Sequence, residues 1–242
     1  MKIPDYWQRE SSDFRRFLAQ PHRRRPDATT VANGGGRMLF LLVLALLVAL
    51  FISIPVDLML EHWAGIESKL DMSGLQLFLV AVVAAPILEE LTFRAGLRSA
   101  TYCLFVGPSV IALLLMAYTL AMVLAVLSGV IALIDLFYMK WAISKGKNGL
   151  RFTRGRTYLR RFPLVFWSYT AAFALMHVNN YSVAGLAGLL VVFAVSSQLM
   201  IGMAASYLRL RNGLISAVIF HGLFNFVWIA LTLGLLTAFD VS

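Results

Sequence analysis

Five polar residues lie within otherwise apolar stretches of the chain, and their side chains are of the types that catalyse hydrolysis: Glu89, Glu90, His177, His221 and Asn225. Carboxylates and imidazoles transfer protons, and imidazoles or carboxamides stabilise oxyanions. Charged groups are costly inside a bilayer and are rare there unless they are paired or functional. The set therefore predicts a polar site within a membrane.

The spacing of the acidic residues gives them different roles. On a helix with about 100° per residue, Glu90 and Arg94 share one face, whereas Glu89 points about 140° away from Arg94. Arg94 can then neutralise Glu90 as a supporting residue. Glu89 is left to face another group, and we predict that it is the general base.

The two histidines are expected near the depth of Glu89, because each lies well inside its own apolar segment. Asn225 follows His221 by one helical turn, so both should project from the same face of their helix. Taken singly, an intramembrane His or Asn is as often a contact between helices as a catalytic group. Their common depth favours a site. Four other polar residues are interpreted as structural or exposed, namely Asp57, Asp135, His22 and His62.

Composition places most of this 242-residue chain in lipid. Its residues are 60% hydrophobic, and its mean hydropathy is +0.79, far above the values of soluble domains. The net charge of +9 could indicate nucleic-acid binding. The basic residues instead form short runs between apolar stretches, so we expect no nucleic-acid partner. The single cysteine, Cys103, excludes an intramolecular disulfide and a Cys-rich metal site.

The apolar stretches predict an all-α polytopic transmembrane bundle with about seven crossings and a polar site at mid-bilayer. We expect one transmembrane domain over residues 38–238. A pair of short crossings is expected within Cys103 to Met139, where Gly107-Pro108 and Ser128-Gly129 interrupt the apolar run. The other five crossings are Met38 to Leu60, Leu75 to Arg98, Phe162 to Val178, Ser182 to Tyr207 and Gly213 to Ala238.

Basic segments set the expected topology. Residues 1–37 carry eight Lys/Arg and lack the features of a secretory signal, so they are predicted to be a cytoplasmic basic tail. The loop Lys140 to Arg161 also carries eight Lys/Arg and no acid. The positive-inside rule puts both on the cytoplasmic side, which requires an even number of crossings between them. We expect an integral protein of a bacterial inner membrane, although a eukaryotic endomembrane would also suit.

Three short motifs resemble those of the CAAX-protease and bacteriocin-processing family, also called CPBP or ABI, which includes the type II CAAX prenyl endopeptidases. The run Glu89-Glu90-Leu91-Thr92-Phe93-Arg94 is similar to its EExxxR motif. Phe173 to His177 is similar to FxxxH, and His221 to Asn225 to HxxxN. Each motif is weak alone, but the three occur in order within apolar segments. The resemblance covers about residues 75–230.

The resemblance implies an intramembrane endopeptidase that cleaves a membrane-associated peptide or protein. Glu89 with His177 would activate water, His221 and Asn225 would stabilise the oxyanion, and Glu90, Arg94 and Phe173 would belong to the same site. Family members are often labelled metalloproteases, and Glu89, His177 and His221 would suffice to hold a zinc ion. No HExxH motif occurs, and the favoured interpretation requires no cofactor.

Two features depart from the family pattern. Ala95 stands where Gly is common, and His177 follows Glu89 by 88 positions, a longer interval than expected. The longer interval predicts an inserted hairpin and basic loop over about 103–161. Two alternative functions remain open: a non-catalytic immunity or binding protein of the same fold, and a proton-coupled carrier. The carrier is less favoured, because no matching halves with broken helices are found.

Overall fold

The computed structural model describes residues 3–23, 31–64, 76, 78–100, 102–114, 116–146, 149–180 and 192–239. These residues contain helices and turns and no strand, so the predicted all-α class is confirmed. The α-helices are α1 (Ile3–Ala19), α2 (Val31–Val48), α3 (Ile54–Ala64), α4 (Ala85–Phe93), α5 (Gly107–Leu114), α6 (Tyr118–Ser144), α7 (Gly149–Arg160), α8 (Phe162–Met176), α9 (Ser196–Arg211) and α10 (Leu214–Phe239). Wider π-helical turns occupy Ala49–Ser53, Phe78–Ala84 and Tyr102–Val106, and 3-10 turns occupy Ala95–Arg98 and His177–Asn180.

Three helices in the described part of the chain are long and apolar enough to cross a bilayer: Gly34–Leu60, Tyr118–Ser144 and Leu214–Leu231. These lengths indicate a membrane protein. Phe162–Met176 is a shorter apolar helix. The crossing expected over Ser182 to Tyr207 coincides with α9 in its second half, and residues 182–191 lie outside the described residues.

The chain folds back on itself within 103–139, but of the two arms that the structure describes, only α6 is long and apolar enough to cross a bilayer. The chain reverses at Met116, which has a φ of +56°, and Ala117 N donates to Ala112 O at 3.0 Å. The first arm ends at Leu114, whereas the second is one continuous helix, α6. Ser128 and Gly129 do not interrupt that helix. In lipid every backbone group must be bonded within the helix, so a single glycine between apolar residues does not end it.

The segment predicted to be a cytoplasmic tail includes a helix that packs onto the bundle. The rings of Phe14 and Phe17, on one face of α1, are buried against Tyr207 of α9. Arg37 at the start of α2 makes a two-point ion pair with Glu10, with N–O distances of 3.0 and 3.2 Å. This contact buries both charges as a pair, which explains acids within a basic segment.

Several basic segments meet at one end of the bundle. Arg37 Nη1 donates to Asn212 Oδ1 at 2.8 Å, which joins the start of α2 to the turn between α9 and α10. Arg98, just after α4, donates to the carbonyl of Leu210. Tyr158 of α7 donates to the carbonyl of Leu97 at 3.2 Å. The start of α2, the end of α7 and the end of α9 therefore lie at the same end of the bundle.

The core is built around α9, which packs against α2, α8 and α10. Small residues on α9 allow close approach of its neighbours, and Ala204 and Ala205 are fully buried. Helix α4 packs between α8 and α10. Because α4, α8 and α10 carry the motif residues, this packing brings the three motifs together.

Candidate functional site

The helix that carries both glutamates begins where the backbone changes winding. The π-helical turn Phe78–Ala84 passes into α4 at Ala85, and Pro86 follows at the start of α4. Proline has no N–H and fits the first turn of a helix, where that donor is not needed. Because Pro86 has no N–H, it cannot donate to the carbonyl of Val82, four residues earlier, or to that of Ala81, five residues earlier. These carbonyls become contact points for α10.

Glu90 and Arg94 form the buried base of the site. Arg94 Nη1 lies 3.1 Å from Glu90 Oε1, as the four-residue spacing predicts, and the side chains are 1% and 0% exposed. The contact is an ion pair rather than an aligned hydrogen bond, since neither Nη atom of Arg94 has a hydrogen-bond partner among the described residues. The Arg94 guanidinium instead lies over the ring of Phe173, with Cζ 3.8 Å from its centroid.

Phe173 holds the other aromatic groups of the site in place. Its ring makes edge-on contacts with His177 at 4.9 Å and with His221 at 5.7 Å between centroids. Together with the Arg94 contact, one fully buried ring thus touches members of all three motifs. The FxxxH spacing follows from this geometry, because Phe173 and His177 lie one helical turn apart on the same face of α8.

Each histidine is anchored through Nδ1 and presents Nε2. His177 Nδ1 lies 2.9 Å from the carbonyl oxygen of Phe173, and His221 Nδ1 lies 3.0 Å from Glu90 Oε1. A carbonyl oxygen only accepts, so His177 Nδ1 carries the proton and donates it. His221 Nδ1 likewise donates to the Glu90 carboxylate. In the neutral imidazoles both Nε2 atoms are then free to accept a proton or to bind a ligand.

Both Nε2 atoms face the same oxygen. Glu89 Oε2 lies 3.9 Å from His177 Nε2 and 3.8 Å from His221 Nε2. These separations exceed hydrogen-bonding distance, and Glu89 Oε2 has no hydrogen-bond partner within the described ranges. The structure thus brings together three of the predicted site residues, with their reactive atoms directed at one point.

The site is enclosed on one side and open on the other. The side chains of Glu89 and His177 are each 17% exposed, whereas that of His221 is 3% exposed. The Glu89 and His177 side chains therefore form the more exposed side of the cluster, although the Oε2 atom of Glu89 is itself buried. Glu90 and Arg94 lie behind these side chains and are almost fully buried.

Asn225 is placed differently from the expectation that it stabilises an oxyanion. Its Nδ2 donates to the carbonyl of Ala81 at 2.7 Å, which ties α10 to the π-helical turn before α4. Ala81 O is one of the two carbonyls that receive no bond from Pro86. The carboxamide donates to this carbonyl, and its Nδ2 makes no hydrogen bond to Glu89 Oε2 in this structure.

Two glycines that sequence reasoning did not single out for packing are needed for these contacts. A Cβ on Gly222 would lie 2.8 Å from the carbonyl oxygen of Val82. A Cβ on Gly202 of α9 would lie 3.2 Å from the ring of Phe173 and 3.3 Å from Arg94 Nη2. Gly222 directly follows His221 in the chain, and this is the one feature of the sequence that could have indicated its role in helix packing. Asp57 and Asp135 lie on α3 and α6, outside this cluster.

The donor types suit zinc, although their spacing is wide. A glutamate and two histidines, each histidine held through Nδ1 by an oxygen, match a catalytic zinc set with its supporting hydrogen bonds. Two donors on one tetrahedral zinc ion lie about 3.4 Å apart. The observed separations of 3.8 and 3.9 Å are longer. Glu89, His177 and His221 would therefore be the ligands and would have to move together slightly.

No protein family, characterised protein sequence or solved structure matches this chain.

Proposed function

We propose that the protein is an intramembrane endopeptidase that hydrolyses a peptide bond of a membrane-associated peptide or protein. The observation that carries this proposal is the convergence of His177 Nε2 and His221 Nε2 on Glu89 Oε2. The three motifs that resemble those of the CPBP family support the same function. The proposal includes about seven crossings and a cytoplasmic N-terminus in a bacterial inner membrane.

In the proposed reaction, Glu89 accepts a proton from a water molecule held between it and His177. The water oxygen attacks the peptide carbonyl carbon, and the carbonyl oxygen becomes an oxyanion. Collapse of this intermediate breaks the C–N bond, and the proton held by Glu89 passes to the leaving amine. A proton on His221 Nε2 would stabilise the oxyanion, an effect worth a few kcal/mol in other hydrolases.

The charges of the buried cluster favour this assignment. Glu89 and Glu90 carry two negative charges when ionised, and Arg94 carries one positive charge. One additional proton, held between Glu89 and the histidines, makes the cluster neutral, which a low-dielectric environment favours. Glu90 accepts from His221 Nδ1 at 3.0 Å, which directs His221 Nε2 toward Glu89. Were zinc bound, it would polarise the substrate carbonyl and ease deprotonation of water.

The proposal is tested with full-length protein purified in detergent and incubated with a membrane-derived peptide pool, with mass spectrometry of the products. Glu89→Gln and His177→Ala should abolish cleavage. The matched controls Asp13→Asn and His22→Ala remove a carboxylate and an imidazole from exposed positions and should cleave normally. Each digest is repeated with a chelator. If wild-type protein cleaves without the chelator and fails to cleave with it, a metal is required.

Failure to cleave by folded wild-type protein would contradict the peptidase proposal. If folded wild type and Glu89→Gln also bound the same peptides equally, the non-catalytic binding or immunity function would be favoured instead. Binding without turnover requires no reactive carboxylate, so the two functions give different results for this one variant.

A further inference from the structure

Two arginines, Arg98 and Arg209, are fixed by backbone contacts at the end of the bundle where the basic segments meet, and the charge of Arg23 acts on both of them. Arg23 follows α1, Arg98 follows α4, and Arg209 lies in the last turn of α9. We call these residues the arginine cluster. Arg209 Nε and Nη2 donate to the carbonyls of Arg94 and Ala95 at 3.2 and 3.4 Å, and Arg98 Nη2 donates to the carbonyl of Leu210. Backbone carbonyls therefore hold Arg98 and Arg209 in place.

The arginine cluster concentrates positive charge. Burial lowers the pKa of Arg209, and the nearby charges of Arg98 and Arg23 lower it further. Within the part of the chain that the structure describes, no carboxylate makes an ion pair with any of the three, in contrast to Arg37 and Arg94. Arg98 Nε is buried without a hydrogen-bond partner among the same residues. Like charges that act on one another, with no carboxylate paired to any of them among the described residues, favour binding of an anion with several oxygens.

The surroundings of the cluster identify the source of that anion. Apolar side chains next to this end of the bundle are exposed, including Ile215 at 75% and Leu159 at 50%. Such side chains border lipid in a protein of this composition. An anion at this level is therefore at the depth of phospholipid headgroups, and basic pockets between transmembrane helices bind such headgroups.

We propose that the arginine cluster binds the phosphate group of an anionic phospholipid. Arg98 and Arg23 would contact the phosphate oxygens, and Arg209 would join them through Nη1, which its backbone contacts leave available. The lipid would also stabilise the end of α4, because Arg209 holds the carbonyl of Arg94, whose side chain pairs with Glu90. This inference does not depend on peptidase activity.

The test measures lipid binding to the full-length protein in detergent by native mass spectrometry. Phosphatidylglycerol, phosphatidylcholine and inorganic phosphate are added separately. Arg23→Gln is the main variant, because Arg23 is exposed and its replacement should leave the fold intact. Arg160→Gln is the matched control, since Arg160 is an exposed arginine of α7 outside the cluster. An Arg98→Gln/Arg209→Gln double variant is compared where it retains its thermal transition.

We expect wild type to bind one phosphatidylglycerol more tightly than phosphatidylcholine, and Arg23→Gln to weaken that binding about fivefold. Arg160→Gln should change it less than twofold. Equal affinity for both lipids, or equal losses in Arg23→Gln and Arg160→Gln, would overturn the proposal in favour of diffuse surface attraction. If inorganic phosphate alone bound as tightly as the lipid, the phosphate site would stand but its ligand would be free phosphate.

Discussion

The helices that carry the motifs and the hairpin inserted between them differ in what they bury. In the most apolar 18-residue stretch of α10, 28% of the residues are buried within the protein, compared with 6% in the corresponding stretch of α6. The ion pair of Glu90 and Arg94, together with His177, lies around α10, which itself carries His221 and Gly222. In contrast, α6 exposes Leu, Ile, Val and Phe along its length. In lipid, apolar side chains contribute little to the association of helices. Polar contacts and close packing at small residues must therefore hold the helices together.

The hairpin formed by α5 and α6 lies between Glu89 and His177 in the chain. The α5–α6 hairpin adds length without contributing a residue to the cluster of Glu89, His177 and His221. Because most side chains of α6 are exposed, changes in that helix should leave the packing of α4, α8 and α10 intact. Changes in the motif helices should therefore have large effects and changes in α6 small ones, and the following predictions test that difference.

The largest expected effect is on catalysis. Glu89→Gln keeps the size of the side chain but removes the proposed base, so the cleavage rate should fall by about 10²- to 10⁴-fold. The thermal transition in detergent should change little, because Glu89 Oε2 makes no hydrogen bond among the described residues. A variant that unfolded instead would assign Glu89 a structural role.

The next largest effect is on stability. Arg94→Met removes the buried partner of Glu90 and the cation over Phe173, and it should cost about 3–5 kcal/mol of unfolding free energy. The measurement is denaturation in mixed micelles, followed by tryptophan fluorescence. Adding Glu90→Gln should recover part of this loss, because the unpaired carboxylate is then removed. Strictly additive losses would show that the two side chains are not coupled.

The polar pattern could be predicted from the sequence much better than the packing that supports it. Helical spacing alone separates Glu89 from the pair formed by Glu90 and Arg94, because 100° per residue fixes their directions. The all-α class follows from long apolar runs. The docking of α1 could not be foreseen, since it depends on a pairing between Glu10 and Arg37, which are far apart in the chain.

The asymmetry of the hairpin and the partner of Asn225 were also beyond local patterns. Ser128 and Gly129 suggest a break, but the demand for internal hydrogen bonds in lipid maintains α6. The partner of Asn225 depends on which backbone carbonyl lacks a donor at the contact between two helices. The HxxxN spacing gives the direction of the carboxamide and does not reveal the group that it meets.

A smaller effect is expected from adding one methyl group. In Gly222→Ala the new Cβ would meet the carbonyl oxygen of Val82 at 2.8 Å, so α10 must move away from the turn before α4. We expect a loss of about 1–3 kcal/mol. Gly129→Ala is the matched control in α6, where a Cβ meets nothing within 4 Å. It should be neutral or stabilising, and a loss equal to that of Gly222→Ala would contradict the contrast between the two regions.

The smallest expected effect separates two roles for Asn225. If its bond to Ala81 O is its main function, Asn225→Ala should cost about 0.6–2 kcal/mol of stability and reduce cleavage only modestly. If it stabilises an oxyanion, stability should hold while the turnover rate falls by about 10²- to 10³-fold. Pro86→Ala sharpens the test, because it restores a backbone N–H that can reach Ala81 O or Val82 O. If Asn225 has a positioning role, Asn225→Ala should cost less stability in the Pro86→Ala protein than in wild type. If Asn225 stabilises an oxyanion, Asn225→Ala should reduce turnover equally in the Pro86→Ala protein and in wild type.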